Sequence, residues 1–150
     1  MAEKFRVAIA CDHAGVALKR VLAEFLRGDG HQVRDLGTDG PESVDYPDFA
    51  DALAAEIAAG RAERGVLICG TGIGISIAAN RHAAVRCAVV HDVTGARLTR
   101  AHNDANVMAL GARLVGEAVA LDCLKAFLET DFEGGRHARR VAKLSAKVTA

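Results

Sequence analysis

Gly65-Val66-Leu67-Ile68-Cys69-Gly70-Thr71-Gly72-Ile73-Gly74 runs from an unbroken apolar stretch straight into a glycine-rich turn. A short apolar run bounded by turn residues is the pattern of a strand covered on both faces. The turn opens a segment that reads as a helix running to about His82. The same strand-then-helix unit recurs on either side. Upstream, Val7-Ala8-Ile9-Ala10-Cys11 is a second apolar run. It is followed by Leu18, Val21, Leu22 and Phe25 at helical spacing, ending near Gly28 and Gly30. Gln32 to Leu36 is a weaker strand, Gly37 to Pro47 a polar loop, and Phe49, Leu53 and Ile57 mark a helix ending at Gly60. Downstream come a strand from Val85 to Val90, a short helix from Val93 to Ala101 and a strand from Val107 to Leu110. Ala120, Cys123, Leu124 and Phe127 form another helical stripe, and Val141, Leu144 and Val148 a C-terminal helix.

Alternating β and α units with continuously apolar strands predict a parallel sheet with helices on both faces. The expected fold is a three-layer α/β/α, doubly wound, five-stranded, Rossmann-like domain spanning residues 1–150. Ligands in such sheets bind beyond the carboxyl ends of the strands, where the strand order reverses. If strands one and three flank that reversal, as in the flavodoxin-like order, Cys11-Asp12-His13 and Cys69-Gly70-Thr71-Gly72-Ile73-Gly74 meet there.

Composition narrows the classes. At 150 residues with 51% apolar and 25% charged residues, the chain can bury a core without metal or disulfide staples. A net charge of zero gives no support to a nucleic-acid or membrane-surface role. The N-terminus lacks a secretory pattern, so a cytoplasmic location is expected. The four cysteines are widely spread with no C-x-x-C pair, and are expected to be free thiols.

Gly70, Gly72 and Gly74 let several N–H groups converge on one point, helped by the helix N-terminus. Such a nest holds a phosphate or a developing oxyanion. Three glycines in five residues exceed what packing requires. Ile75 departs from the dinucleotide fingerprint, and no Gly-Lys-Ser/Thr follows to make a Walker loop. Cys69 precedes the nest, where a thiol serves as base or nucleophile, although most free cysteines are simply buried. Asp12-His13, His91-Asp92 and His102-Asn103-Asp104 are each titrating groups or helix caps. Arg136 and Arg140 lie one helical turn apart and make either a phosphate clamp or a solvated basic face. Tyr46, the one tyrosine, sits in the polar loop and either meets a ligand or anchors the loop. No H-x-H or HExxH spacing points to a metal.

Larger blocks carry a resemblance. They are Cys11-Asp12-His13-Ala14-Gly15, Asp45-Tyr46-Pro47, Ile68 through Asn80, His102-Asn103-Asp104-Ala105-Asn106-Val107, Gly111-Ala112-Arg113 and Glu133-Gly134-Gly135-Arg136-His137. From Val7 to about Val141 the chain resembles the type B ribose-5-phosphate isomerases, a family that also holds galactose- and allose-6-phosphate isomerases. The resemblance implies interconversion of D-ribose 5-phosphate and D-ribulose 5-phosphate through an enediolate, in the pentose phosphate pathway, with no cofactor and no metal. By position it implies Cys69 as the proton-transferring base. Some members use a glutamate in the following helix instead, but none lies between Gly70 and Asn80 here. It implies His102 in ring opening with Thr71 and Asp12 nearby. Gly70, Thr71, Gly72, Ile73 and Gly74 would cradle the enediolate. His13, Arg113, Arg136 and Arg140 would hold the phosphate, and Asn103 and Tyr46 would meet sugar hydroxyls.

Those roles suit the chemistry. Aldose–ketose isomerisation needs one base to move a proton between adjacent carbons and fixed donors where charge develops. A remote phosphate clamp positions the reacting carbons. Three alternatives stand beside this reading: an isomerase of a six-carbon or tetrose phosphate, a non-catalytic phosphosugar-binding regulatory domain, and a dinucleotide-binding domain. The expected assembly is a homodimer, or a tetramer built from it, with composite sites. His102 precedes and Arg113 follows the fifth strand, so a neighbour's His102 and Arg113 are expected over each crevice.

Overall fold

The computed structural model describes residues 2–146. Five parallel strands form one sheet: β1 (Arg6–Cys11), β2 (Gln32–Asp35), β3 (Arg64–Cys69), β4 (Cys87–Val89) and β5 (Val107–Gly111). The helices are α1 (Val16–Gly28), α2 (Tyr46–Ala58), α3 (Ile73–Asn80), α4 (Val93–Asn103), α5 (Glu117–Glu129) and α6 (Arg136–Ser145), with a 3-10 turn over His13–Gly15 before α1. The expected helix position Val148 lies outside the described residues.

Both faces of the sheet are covered at its centre, which is why β1, β3 and β5 are apolar on both sides. Val7, Ile9, Val66, Ile68, Met108 and Leu110 face a core closed by Leu22 and Leu26 of α1 and Leu124 and Phe127 of α5. Ala8, Ala10, Leu67, Val107 and Ala109 face a second core closed by Leu53 and Ala54 of α2 and Ile75 and Ala79 of α3. Burying that apolar area, at about 25 cal/mol per Å2, is the main favourable contribution to the fold.

The strand order is β2-β1-β3-β5-β4, so the reversal lies between β1 and β3 as expected. Beyond β3 the order departs from the flavodoxin-like pattern, because β5 returns inside β4 and pairs with β3 through Cys69 opposite Gly111. The fifth strand is therefore interior, with every residue buried, and the three-residue β4 is the edge on that side, opposite β2. Asn80 protects that edge: its side-chain amide bonds both the N–H and the carbonyl of Cys87, at 2.7 and 2.9 Å.

Three local expectations change. Tyr46 and Pro47 open α2 rather than end the polar loop; Asp45 is the N-cap residue and the proline occupies the first turn, where its missing N–H costs nothing. The helix α4 runs two residues past Ala101, so His102 and Asn103 form its last turn. Asp92 caps its start through the Gly95 N–H at 2.6 Å. Asp104 ends it in a left-handed conformation, held by Arg100 at 2.8 Å and Arg86 at 3.3 Å. The buried face of α1 is also rotated from the expected stripe and includes Lys19.

Candidate active site

A crevice of about 440 Å3 opens at the carboxyl ends of β1, β3 and β5, a volume suited to a small ligand. It is lined by Asp12, His13, Tyr46, Cys69, Gly70, Thr71, Ile73, Gly74 and Arg113. The register explains the convergence, because Cys11 lies opposite Ile68 and Cys69 opposite Gly111.

The thiol of Cys69, almost fully buried, accepts a hydrogen bond from the Gly72 N–H at 3.1 Å, which fixes its direction. Gly72 has φ of 77°, and a β-carbon there would lie 2.9 Å from the Leu110 carbonyl carbon, so only glycine fits. Thr71 accepts from the Ile73 N–H through its hydroxyl at 3.2 Å. The helical bond from the Ser76 N–H runs to Gly72 at 3.2 Å. The N–H groups of Gly74 and Ile75, in the first turn of α3, precede it and remain available for a ligand. Burial pushes the thiols of Cys11 and Cys87 up to about 12 and that of Cys123 upward as well.

Asp12 caps the 3-10 turn through the Ala14 N–H at 3.0 Å. His13 accepts the Val44 N–H at Nδ1, 3.2 Å away, which leaves Nε2 as the protonated nitrogen of the neutral ring. The amide of Val44 is a positioning group that no side-chain motif reveals. Arg113 stands in this same crevice: its backbone N–H bonds the Gly70 carbonyl at 3.0 Å, and its side chain passes over Gly70. The expectation that Arg113 reaches the crevice of a neighbouring chain is thus corrected. Because β5 pairs directly with β3, the residue after β5 falls beside the glycine turn.

The other expected residues lie elsewhere. His102, in the last turn of α4, sits at the amino-terminal edge of β5. The five residues of β5, about 16 Å at 3.3 Å per residue, separate it from the Cys69 end of the sheet. There its ring stacks on that of His137, with centroids 4.4 Å apart. Glu133 approaches Nε2 of His137 at 3.7 Å. Arg136 and Arg140 are exposed on the first turns of α6, one turn apart as the spacing implied, with Arg140 bonding the Arg136 carbonyl at 3.1 Å. Asn103 is exposed and lines a separate cleft with Cys87 and Leu144.

Among the described residues, His102, Glu133 and His137 form one group whose ligand atoms lie within 4.8 Å of one another. Glu133 and His137 are four residues apart in the sequence, Glu133 in the loop before α6 and His137 in its first turn, but His102 joins them only through the packing of α6 on α4. Burial, the neighbouring His102 and the charge of Arg136 together hold His137 below its ordinary value, against the opposing pull of Glu133. The flanking guanidiniums of Arg136 and Arg140 place two exposed positive charges beside this group. The structure thus divides the expected constellation: the Cys69 thiol and the glycine turn at one end of the sheet, a histidine and two arginines at the other.

The model of the Ribose/Galactose Isomerase family matches residues 7–144. Ribose-5-phosphate isomerase B of Escherichia coli is 44% identical over 141 residues, covering 94% of this chain and 95% of that protein. The D-erythrulose-4-phosphate isomerase of Pectobacterium atrosepticum is 41% identical, covering 92% of this chain and 91% of that protein. Among solved structures, ribose-5-phosphate isomerase B of Clostridium thermocellum superposes with a TM-score of 0.92 at 50% identity, covering 93% of this chain and 95% of that one. Fold, crevice and relatives together define a sugar phosphate isomerase. The chain belongs to the ribose/galactose isomerase family. Among the described residues no helix is long and apolar enough to cross a membrane.

Proposed function

We propose that the chain interconverts D-ribose 5-phosphate and D-ribulose 5-phosphate in sites shared between two copies. One observation carries the reading: the Cys69 thiol and the glycine nest share a crevice with His13 and Arg113, whereas His102, Arg136 and Arg140 lie a strand's length away. A twofold pairing that lays the α4–α6 end of one copy over the crevice of the other completes both sites at once.

In the completed site His102 assists opening of the furanose ring. Cys69 then removes the proton from C2 of the open aldose. Negative charge develops on the enediolate oxygens, where the N–H groups at the start of α3 receive it. The proton on O2 passes to O1, and Cys69 returns its proton to C1, leaving the ketose. Asp12 and Thr71 border the reacting carbons, and Tyr46 and Asn103 meet sugar hydroxyls. His13, Arg113 and the partner-borne Arg136 and Arg140 hold the phosphate, which supplies binding energy remote from the reacting carbons. The chemistry calls for neither a hydride carrier nor an electron sink. The Pectobacterium relative keeps a tetrose phosphate as the second reading.

Complementation tests the shared site. Cys69→Ala and His102→Ala should each lose roughly 10²–10⁴-fold or more in kcat. In mixed dimers one site carries both lesions and the other neither. With half of the dimers mixed at equal input and half of their sites intact, activity should return to roughly a quarter of wild type. No return, with subunit exchange verified by mass spectrometry, places both residues in one chain's site. Initial rates on four-, five- and six-carbon aldose phosphates decide the sugar, and no ketose from any of them would leave a phosphosugar-binding domain without turnover.

A further inference from the structure

The α4–α6 end of the molecule carries its groups on two separate helices. His102 and Asn103 lie in the last turn of α4, Arg136 and Arg140 on α6. Apolar packing alone does not fix one helix against the other, because Val141 is the one buried residue of α6. A single side chain spans the gap. Arg86, directly before β4, donates from Nε to the Asp104 carbonyl at 2.8 Å and from one terminal nitrogen to the Asp104 carboxylate at 3.3 Å. Its other terminal nitrogen donates to Ser145 Oγ, on the last residue of α6, at 3.1 Å. The root of the side chain is fixed as well. The Arg86 N–H donates to Asn106 Oδ1 at 2.8 Å, and the Asn106 amide donates to the Ala84 carbonyl at 2.8 Å.

Asp104 is the junction. It follows His102 and Asn103 directly and ends α4 with φ of 47°, a conformation for which glycine is the usual helix-ending residue. What aspartate adds is a carboxylate between two guanidiniums. Arg100, its side chain 5% exposed, donates to that carboxylate at 2.8 Å, and its Nε reaches the Thr130 carbonyl at 3.3 Å, where the segment leading to α6 begins. Each arginine thus ties the end of α4 to one end of the 130–145 segment, Arg100 to its start and Arg86 to its finish. A planar guanidinium holds two such partners at a set separation, which a lysine ammonium does not.

We propose that Arg86 is a positioning residue that sets the spacing between His102 and the α6 arginines, so that ring opening and phosphate binding act on one substrate. This rests on the shared-site reading above. Arg86 does not line the Cys69 crevice. It acts through Asp104 on the last turn of α4 and through Ser145 on α6. A misplacement of about 1 Å in a positioned group costs about 10²-fold in rate, which sets the scale of the expected effect.

Steady-state rates on D-ribose 5-phosphate and mixed-dimer assays test this. Arg86→Ala should lose about 10²-fold in kcat/KM, and Arg86→Lys most of that although it keeps the charge. Ser145→Ala, which frees only α6, should raise KM about 2–10-fold, the worth of one hydrogen bond, with kcat within about twofold. Asp104→Asn, which tolerates the left-handed turn but removes the charge between the guanidiniums, should instead lower kcat about 10-fold. Mixed dimers locate the lesion. Arg86→Ala should complement Cys69→Ala to roughly a quarter of wild type, as His102→Ala does, and should gain nothing when mixed with His102→Ala. A folded Arg86→Ala dimer within about threefold of wild type in kcat/KM overturns the proposal. So does one that fails to complement Cys69→Ala where His102→Ala succeeds. If Arg86→Ala does not form dimers, the milder variants decide: wild-type KM in Ser145→Ala or wild-type kcat in Asp104→Asn overturns the proposal. Failure of His102→Ala itself to complement Cys69→Ala refutes the shared site, and the role of Arg86 with it.

Discussion

Lys19→Met should destabilise the protein by about 2–4 kcal/mol, a value that follows from the surroundings of one ammonium group. The Lys19 side chain has no solvent exposure, and its Nζ lies 2.5 Å from Asp35 and 2.7 Å from Asp39. Removing one member of a buried pair costs about 3–5 kcal/mol, because the remaining charge is left without compensation. Here the penalty is smaller. The Asp39 side chain is 72% exposed and rehydrates, and an exposed pair contributes about 0–1 kcal/mol. Asp35, 25% exposed, keeps its bond from the Gly37 N–H at 2.9 Å. Methionine preserves the packed stem. At this chain length the loss corresponds to a fall in Tm of about 5–15 °C, measured by circular dichroism at fixed protein concentration. Adding Asp35→Asn should restore at least half of it by removing the stranded charge. The pH dependence has a definite sign. The hydrogen bond from Lys19 holds Asp39 below the usual carboxylate range, so its contribution is present above about pH 4 and lost as pH falls through the folded-state value. Burial pulls Lys19 down, but the bonds to Asp35 and Asp39 outweigh it and leave it raised, so its contribution is present below about pH 10 and lost as pH rises through the raised value. The gap between wild type and Lys19→Met should therefore be widest between these limits and narrow in acid. A Tm within about 2 °C of wild type, or a gap unchanged in acid, refutes the reasoning.

Gly72→Ala should cost at least about 1–2 kcal/mol for its left-handed backbone, before the clash with Leu110 is counted, and should lower kcat by moving the N–H that orients the Cys69 thiol; wild-type melting and turnover would contradict this. The imidazole of His137 should titrate below about 6.5 in an NMR pH series, because burial, His102 and Arg136 all disfavour its charged form. Its folded-state value is depressed, so its contribution to stability is full above about pH 6.5 and lost as pH falls through that value. Glu133→Gln, which removes the opposing pull, should lower the midpoint further, and a midpoint at or above 6.5 would contradict the assignment.

What was legible in the sequence is what depends on neighbours along the chain. Gly65 to Gly74 reads correctly because a strand buried on both faces leaves an unbroken apolar run, and because Gly72 marks a turn no other residue can make. Tyr46 was within reach: Asp45 and Pro47 punctuate loops, but an N-cap aspartate followed by a proline in the first turn is equally a helix start. The order of β4 and β5 was not. A crossover helix has the same pattern whether the next strand is laid outside or inside the last, and only the shortness of β4 and the full burial of β5 distinguish edge from centre. Arg113 was misplaced for that reason alone. Lys19 escaped because a lysine becomes a core residue only when Asp35 and Asp39 arrive from another element to meet it. The separation of His102 from Cys69 has the same origin but a larger consequence. Blocks that read as one constellation in sequence occupy opposite ends of a parallel sheet. No movement of side chains closes a gap of about 16 Å through a fully buried strand. If these residues act together, the missing half of each site must come from another copy of the same chain, and the sequence carries both halves because both copies are encoded by it.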